Sequence, residues 1–186
     1  SLRCATQELV WQSVLRAMES DPDSINHVST ATSKTHGGSL TLDEKVALPA
    51  YSDTMDVHLM PGNYQGGHSQ GAEAGVIYDN GLDVFSFGVM GKNLDDIGHS
   101  MANFTRLKWP DLNPKLIVDV GCTIGHNTLP WKQTFPEAEV HGLDAASPCL
   151  QYGHARAEAM GIPIQFKQAL CDALPYSDSS VDVVFS

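Results

Sequence analysis

The chain has 186 residues, 42% of them apolar, with 11 Lys and Arg against 22 Asp and Glu for a formal charge of −11. That length suits one domain, or one domain with a sizeable extension, and the apolar fraction excludes wholesale disorder. The negative charge repels phosphate backbones and argues against a nucleic-acid partner. The most apolar short run, residues 116–120, is broken by Asp119 and is far too short to cross a bilayer. The four cysteines, Cys4, Cys122, Cys149 and Cys171, form no C-x-x-C pair, so zinc ribbons and thioredoxin-type redox sites lack support. Free thiols without a basic-then-apolar leader are expected in a reducing cytoplasm.

In chain order, Leu9, Val10, Val14, Leu15 and Met18 predict a helix over residues 5–19, stopped by Asp21-Pro22. Residues 20–45 are rich in Ser, Thr, Asp and Gly and read as a loop or linker. Residues 61–75 contain five glycines and read as a second irregular stretch. Leu94, Ile97, Met101, Phe104 and Leu107 predict a core-facing helix. Trp109-Pro110 ends it, because proline disfavours helical backbone in the residue before it. After Pro114 the texture changes. Residues 115–120 read as a buried parallel strand and residues 139–144 as a second. Ser147-Pro148 starts a helix with a preferred N-cap and a first-turn proline, and Gly161 stops it. Residues 164–169 and 181–185 read as a third and a fourth strand. Strands alternating with helices imply right-handed crossovers and an open, doubly wound α/β sheet. The boundary is placed near residue 110. Residues 1–110 form a helical and loop region, and residues 111–186 the sheet domain.

Residues 119–127, Asp-Val-Gly-Cys-Thr-Ile-Gly-His-Asn, sit at the carboxyl end of the first sheet-domain strand and open a helix. Ligands of open α/β sheets bind there. Gly121 and Gly125 let backbone approach a ligand closely. A dinucleotide fingerprint would need glycine at 121, 123 and 126, and the chain has Thr123 and His126. Asp119 is a poor neighbour for a pyrophosphate but suits a cationic ligand. Asp144 ends the second strand and can accept hydrogen bonds from ribose hydroxyls. Asp172, after the third strand, can accept from an adenine amino group. Together the three carboxylates suit a ribose, an adenine and a positive group.

These motifs resemble the class I S-adenosylmethionine-dependent methyltransferases over residues 115–186. The resemblance runs through Val118-Asp119-Val120-Gly121-Cys122-Thr123-Ile124-Gly125, then Gly142-Leu143-Asp144-Ala145, then residues 172–186. It implies a Rossmann-like sheet and S-adenosylmethionine as cofactor, with S-adenosylhomocysteine as product. It implies that Asp119, Gly121 and Gly125 line the methionine part, that Asp144 holds the ribose, and that Asp172 and Ala173 flank the adenine. Cys122 and Ala145, inside the same motifs, are counted with them. Thr123 stands where the family usually has a central glycine. The family's sheet has seven strands and four are legible here, so the chain is expected to be a piece of a longer enzyme. Residues 56–64 resemble a segment seen upstream of such domains, without an assignable role.

The expected function is methyl transfer to a small-molecule acceptor. Residues 1–110 would cover the acceptor pocket, no catalytic residue is named, and no oligomeric state is assigned. The alternatives are a non-catalytic module that holds the cofactor or its product, and a nicotinamide-dependent oxidoreductase, which Thr123, His126 and Asp119 disfavour. Asp53, Asp56, His58 and His68 have no recognised ligand spacing and read as loop residues, so no metal is expected. His99 reads as a helix-surface residue and His126 as an ordinary first-turn residue. Tyr51, Tyr64 and Tyr78 read individually as packing residues, although an upstream aromatic closes over the cofactor in many related enzymes.

Overall fold

The computed structural model describes residues 1–20, 35–43, 45–64 and 73–186. His68 and much of the two expected irregular stretches lie outside the described residues. The sheet has five parallel strands: β1 (Ser39–Thr41), β2 (Leu116–Val120), β3 (Glu139–Asp144), β4 (Gln165–Gln168) and β5 (Val183–Phe185), in the order β1-β4-β3-β2-β5. The four expected strands are present, two of them shorter than their apolar runs. The register sets Asp119 of β2 beside Gly142 of β3 and Phe185 of β5, and Gly142 beside Phe166 of β4.

β1 corrects the reading of residues 20–45 as loop. Ser39-Leu40-Thr41, one leucine between two hydroxyl residues, is too short to show a strand period. Leu40 nevertheless pairs with Phe166, and Ser39 N–H donates to the Ile164 carbonyl at 3.0 Å. The edge of β4 supplies the hydrogen-bond partners that hold so short a segment extended.

Among the described residues five α-helices accompany the sheet: α1 (Leu2–Ser20), α2 (Glu73–Phe85), α3 (Asp96–Lys108), α4 (Leu129–Thr134) and α5 (Ser147–Ala159). No described helix is long and apolar enough to cross a membrane. α4 and α5 are the crossovers between β2, β3 and β4. With Ala102 of α3 they bury Leu129, Trp131, Leu150 and Ala157 against Ile117, Val140 and Phe166 of the sheet. A second apolar cluster joins Trp11, Met60, Ala74, Val76 and Ile77 of the N-terminal region to Ile124, Cys149 and Tyr152. α1 and α2 therefore form a layer outside α5.

α1 confirms the first predicted helix, but its buried residues are Trp11 and Val14, while Leu9 is exposed. α2 was not legible. Gly75 falls in the stretch read as irregular, yet Gly75 and Gly81 are sites of close approach. A Cβ on Gly75 would stand 2.3 Å from Cβ of Tyr152, and one on Gly81 would stand 2.1 Å from the Trp11 ring. Gly75→Ala is therefore expected to push α2 off α5, at a cost of about 1–3 kcal/mol for overpacking. Urea unfolding checks this, and a midpoint equal to that of the wild type would exclude the close contact.

The α3 stripe is also corrected. Leu94 precedes the helix and is buried, but Ile97, Phe104 and Leu107 are exposed. α3 docks instead through Gly98 and Ala102. A Cβ on Gly98 would stand 2.7 Å from the Asn127 carbonyl, so the small-residue face approaches and the large one turns outward. Met101, Phe104 and Trp109 then line an apolar groove of about 960 Å³ with Trp131 and Phe185. Ser147 is not the N-cap of α5. Ala146 holds that position, and its N–H donates to Asp144 Oδ1 at 2.8 Å.

Candidate functional site

β2, β3 and β4 end together, and their connections diverge there. β2 runs into a glycine-containing loop, β3 turns into α5, and β4 runs into the irregular segment 169–182. The crevice between these connections has a volume of about 440 Å³, within the range of roughly 300–1,000 Å³ usual for small-ligand sites. It brings together Gly121, Asp144, Ala145 and Asp172 of the expected site residues. Asp119, Cys122, Gly125 and Ala173 do not line it. The remaining walls are Val120, Leu143, Ala169, Leu170, Cys171 and Leu174, with Pro49 and Tyr51 arriving from the N-terminal region. Leu143, Ala169 and Leu170 escaped the sequence reading because apolar residues at strand ends look like ordinary core, and Pro49 because it caps a short turn far along the chain.

Gly121 has φ +84° and no heavy atom within 4 Å of where a Cβ would stand. Bare backbone therefore forms part of the wall. Its N–H and that of Cys122 both donate to the Leu143 carbonyl, at 2.7 and 2.9 Å. Gly125 has φ +77°, but a Cβ there would lie 2.8 Å from Phe166. That glycine serves packing beneath the loop.

Asp144 organises the centre of the crevice. Its Oδ2 accepts the Thr123 N–H at 2.9 Å and its Oδ1 accepts the Ala146 N–H at 2.8 Å. Each oxygen keeps a further lone pair and can accept a hydroxyl. Burial raises the Asp144 pKa, and the backbone N–H groups work against that rise. Thr123 stands at φ +49°, a left-handed conformation that a β-branched residue rarely adopts. The bond to Asp144 helps hold it there.

Asp119 lies under the loop, 3% exposed, and its Oδ2 accepts the Thr128 hydroxyl at 2.5 Å. Burial pushes its pKa up to about 7, against the Thr128 bond, and the Asp144 carboxylate adds to the rise. Cys122 is buried, with its sulfur beside Gly142, and burial raises its pKa well above the ordinary thiol value. The thiol is thus kept protonated and unreactive. Asp172 and Ala173 are both exposed, and only Asp172 borders the crevice.

The N-terminal region covers the loop from its other side. The carbonyl of His58 accepts Gln7 Nε2 at 2.7 Å and Trp11 Nε1 at 3.0 Å, which ties α1 to residues 56–64. Asn63 braces the same segment, accepting Val57 N–H at 2.8 Å and donating to the Ser52 carbonyl at 2.7 Å. Tyr64 packs on Tyr78 with ring centres 5.7 Å apart, and Tyr78 packs on His126 at 5.8 Å. The segment without an assignable role is thus a buckle between α1 and the loop. His126 is not an ordinary first-turn residue. It is 7% exposed, and burial, with the nearby Arg156 cation, pushes its pKa down to about 4. His99 is a surface residue, as expected, 3.6 Å from Asp95.

A family model described as a methyltransferase domain matches residues 117–186. The chain is similar to a demethylmenaquinone methyltransferase of Thermus thermophilus, 39% identical over 71 residues, which are 38% of this chain and 32% of that protein. It is similar to a malonyl-[acyl-carrier protein] O-methyltransferase of Xylella fastidiosa, 37% identical over 76 residues, which are 41% of this chain and 25% of the relative. A protein of the same name from Halorhodospira halophila is 33% identical over 84 residues, 44% of this chain and 27% of its own length. The chain thus spans about a quarter to a third of the length of these relatives. The matched segment begins within β2 and carries the glycine loop, Asp144 and Asp172, the parts that shape the crevice. Over residues 117–186 the chain is therefore similar to methyltransferase domains.

Proposed function

We propose that the chain binds S-adenosylmethionine in this crevice and is the cofactor-binding part of an enzyme that methylates a small-molecule acceptor. The observation that carries the reading is the make-up of the crevice. Two carboxylates and an apolar wall meet bare backbone at Gly121, and among the described lining residues there is no Lys or Arg. A pyrophosphate would find no cation there, whereas a nucleoside finds acceptors for its hydroxyls and amine. The free lone pairs of Asp144 fit the two ribose hydroxyls. Leu143, Leu170 and Leu174 fit the faces of an adenine, and Asp172 fits its amino group.

S-adenosylmethionine, when bound, supplies a methyl group on a sulfonium that is already a good leaving group. The protein's task is then alignment, which supplies up to ~7–11 kcal/mol of a barrier. A general base adds roughly 10²- to 10⁴-fold only where the acceptor must lose a proton. The buckle at residues 56–64 and α2 keep water from the loop side. The names of the relatives, one a demethylmenaquinone methyltransferase and two malonyl-[acyl-carrier protein] O-methyltransferases, favour a small acceptor group. Calorimetry of the full chain with S-adenosylmethionine and with S-adenosylhomocysteine tests the reading. Saturable binding of both is expected, and binding of neither overturns it.

A further inference from the structure

The crevice wall at residues 169–174 belongs to an irregular segment that runs on to residue 182. Most of this segment is exposed, and it covers the sheet face that carries Val118 and Leu143. Its far end is pinned by Asp182, whose Oδ2 accepts the N–H groups of Lys115 and Leu116 at 2.8 and 3.0 Å. Between that pin and the crevice, the side chain that reaches back to the sheet with a hydrogen bond is Tyr176. Its hydroxyl lies 2.6 Å from Nδ1 of His141 on β3.

His141 is 4% exposed, and both its ring nitrogens are engaged. Nε2 lies 2.6 Å from Glu139 Oε1. A carboxylate only accepts, so Nε2 carries the proton. Nδ1 of a neutral ring is then an acceptor, and it takes the Tyr176 hydroxyl. Lys167 Nζ, 3.3 Å from the same Nδ1, can only donate. It also lies 5.7 Å from the centre of the Tyr176 ring. Two donors therefore converge on Nδ1, and the arrangement requires a neutral imidazole. The groups facing His141 are Glu139 from its own strand, Lys167 from β4 and Tyr176 from the segment, while Lys132 acts on Glu139 from α4. Burial lowers the His141 pKa. Lys167 lowers it further, and the Glu139 bond opposes both.

We propose that His141 and Tyr176 form a latch that holds the 170–174 wall of the crevice in place, closed while the imidazole is neutral and released when Nδ1 takes up a proton. His141 is a positioning residue, acting on ligand binding through Tyr176. The role in ligand binding rests on the nucleoside reading of the crevice, and the latch itself does not. A proton on Nδ1 would stand 3.3 Å from the Lys167 ammonium, and repulsion between the two cations drives the ring off the tyrosine hydroxyl.

The test is hydrogen exchange of the full chain without ligand, expressed as protection factors for residues 170–174, together with calorimetric affinity for S-adenosylhomocysteine between pH 7.5 and 5. At pH 7.5, Tyr176→Phe is expected to lower both protection and affinity about fivefold, the effect of one neutral hydrogen bond. In the wild type, both quantities should fall on the acid side of the ordinary imidazole value of 6.5. His141→Asn places an amide oxygen near the position of Nδ1 and cannot be protonated. It should restore neutral-pH values and flatten the acid loss. Unchanged protection in Tyr176→Phe, or an undiminished acid loss in His141→Asn, overturns the latch. Absence of ligand binding by the wild type overturns the nucleoside reading, and the exchange data still decide the latch.

Discussion

Asp144→Ala is expected to weaken binding of S-adenosylmethionine and S-adenosylhomocysteine by roughly 10²- to 10³-fold, because hydrogen bonds to a charged group contribute about 1.5–3 kcal/mol each. The same change strips the partner from two backbone donors, Thr123 N–H and Ala146 N–H. A buried donor left unsatisfied costs about 1–3 kcal/mol, so the variant should also be less stable to urea. Thr123 would lose the bond that holds it at φ +49°. Asp144→Asn separates the two effects. Its single side-chain oxygen keeps one backbone N–H satisfied, while its amide nitrogen is set against the other. It should recover part of the stability and little of the affinity. Affinity within twofold of the wild type in either variant would remove Asp144 from the ribose site.

The second large effect is a pair of opposing pH dependences under the loop. Asp119 has a folded pKa near 7 against an ordinary 3.8. Its contribution to stability is fully present below 3.8 and is lost as pH rises through 7. A shift of that size corresponds to roughly 4 kcal/mol. His126 has a folded pKa near 4 against an ordinary 6.5. Its contribution is fully present above 6.5 and is lost as pH falls through 4, by roughly 3 kcal/mol. Between pH 4 and 6.5 the two slopes nearly cancel. Single substitutions should unmask them. The stability difference between wild type and Asp119→Asn should shift against the wild type by roughly 4 kcal/mol from pH 4 to 7.5. The difference for His126→Gln should shift in the wild type's favour by roughly 3 kcal/mol from pH 4 to 6.5. Urea unfolding at four pH values between these limits decides it. Differences that do not vary with pH would show that neither group titrates away from its ordinary value.

The placement of Asp119 also changes what its carboxylate does. At the tip of a strand, beside a glycine loop, it reads as a group facing a cationic ligand. In the fold it lies inside the loop, held by Thr128. His126 follows the same logic. A histidine at the start of a helix has no pattern that marks burial, and only the arrival of α2, with Tyr78, covers it.

Chemistry carried by a few adjacent residues was determined by the sequence alone. The runs at 115–120 and 139–144 read as strands because branched and apolar residues in short blocks between helix signals suit a sheet buried on both faces, and residues 164–169 read as the next strand after the helix that Gly161 stops. Gly121, Asp144 and Asp172 had to meet, because parallel strands joined by right-handed crossovers bring their carboxyl ends to one side. Tertiary structure decided the rest, wherever the outcome depended on a partner far along the chain. Ser39–Thr41 is a strand only because β4 offers it an edge. α2 is a helix whose glycines are needed by Tyr152 and Trp11, residues about 70 positions away on either side. The large apolar residues of α3 face outward because its glycine and alanine allow a closer approach on the other face. His141 on β3 meets Tyr176, 35 positions later, through the packing of the segment after β4. Local spacing specifies which backbone forms, and the packing of distant segments sets which face of it is buried and which groups lose their water.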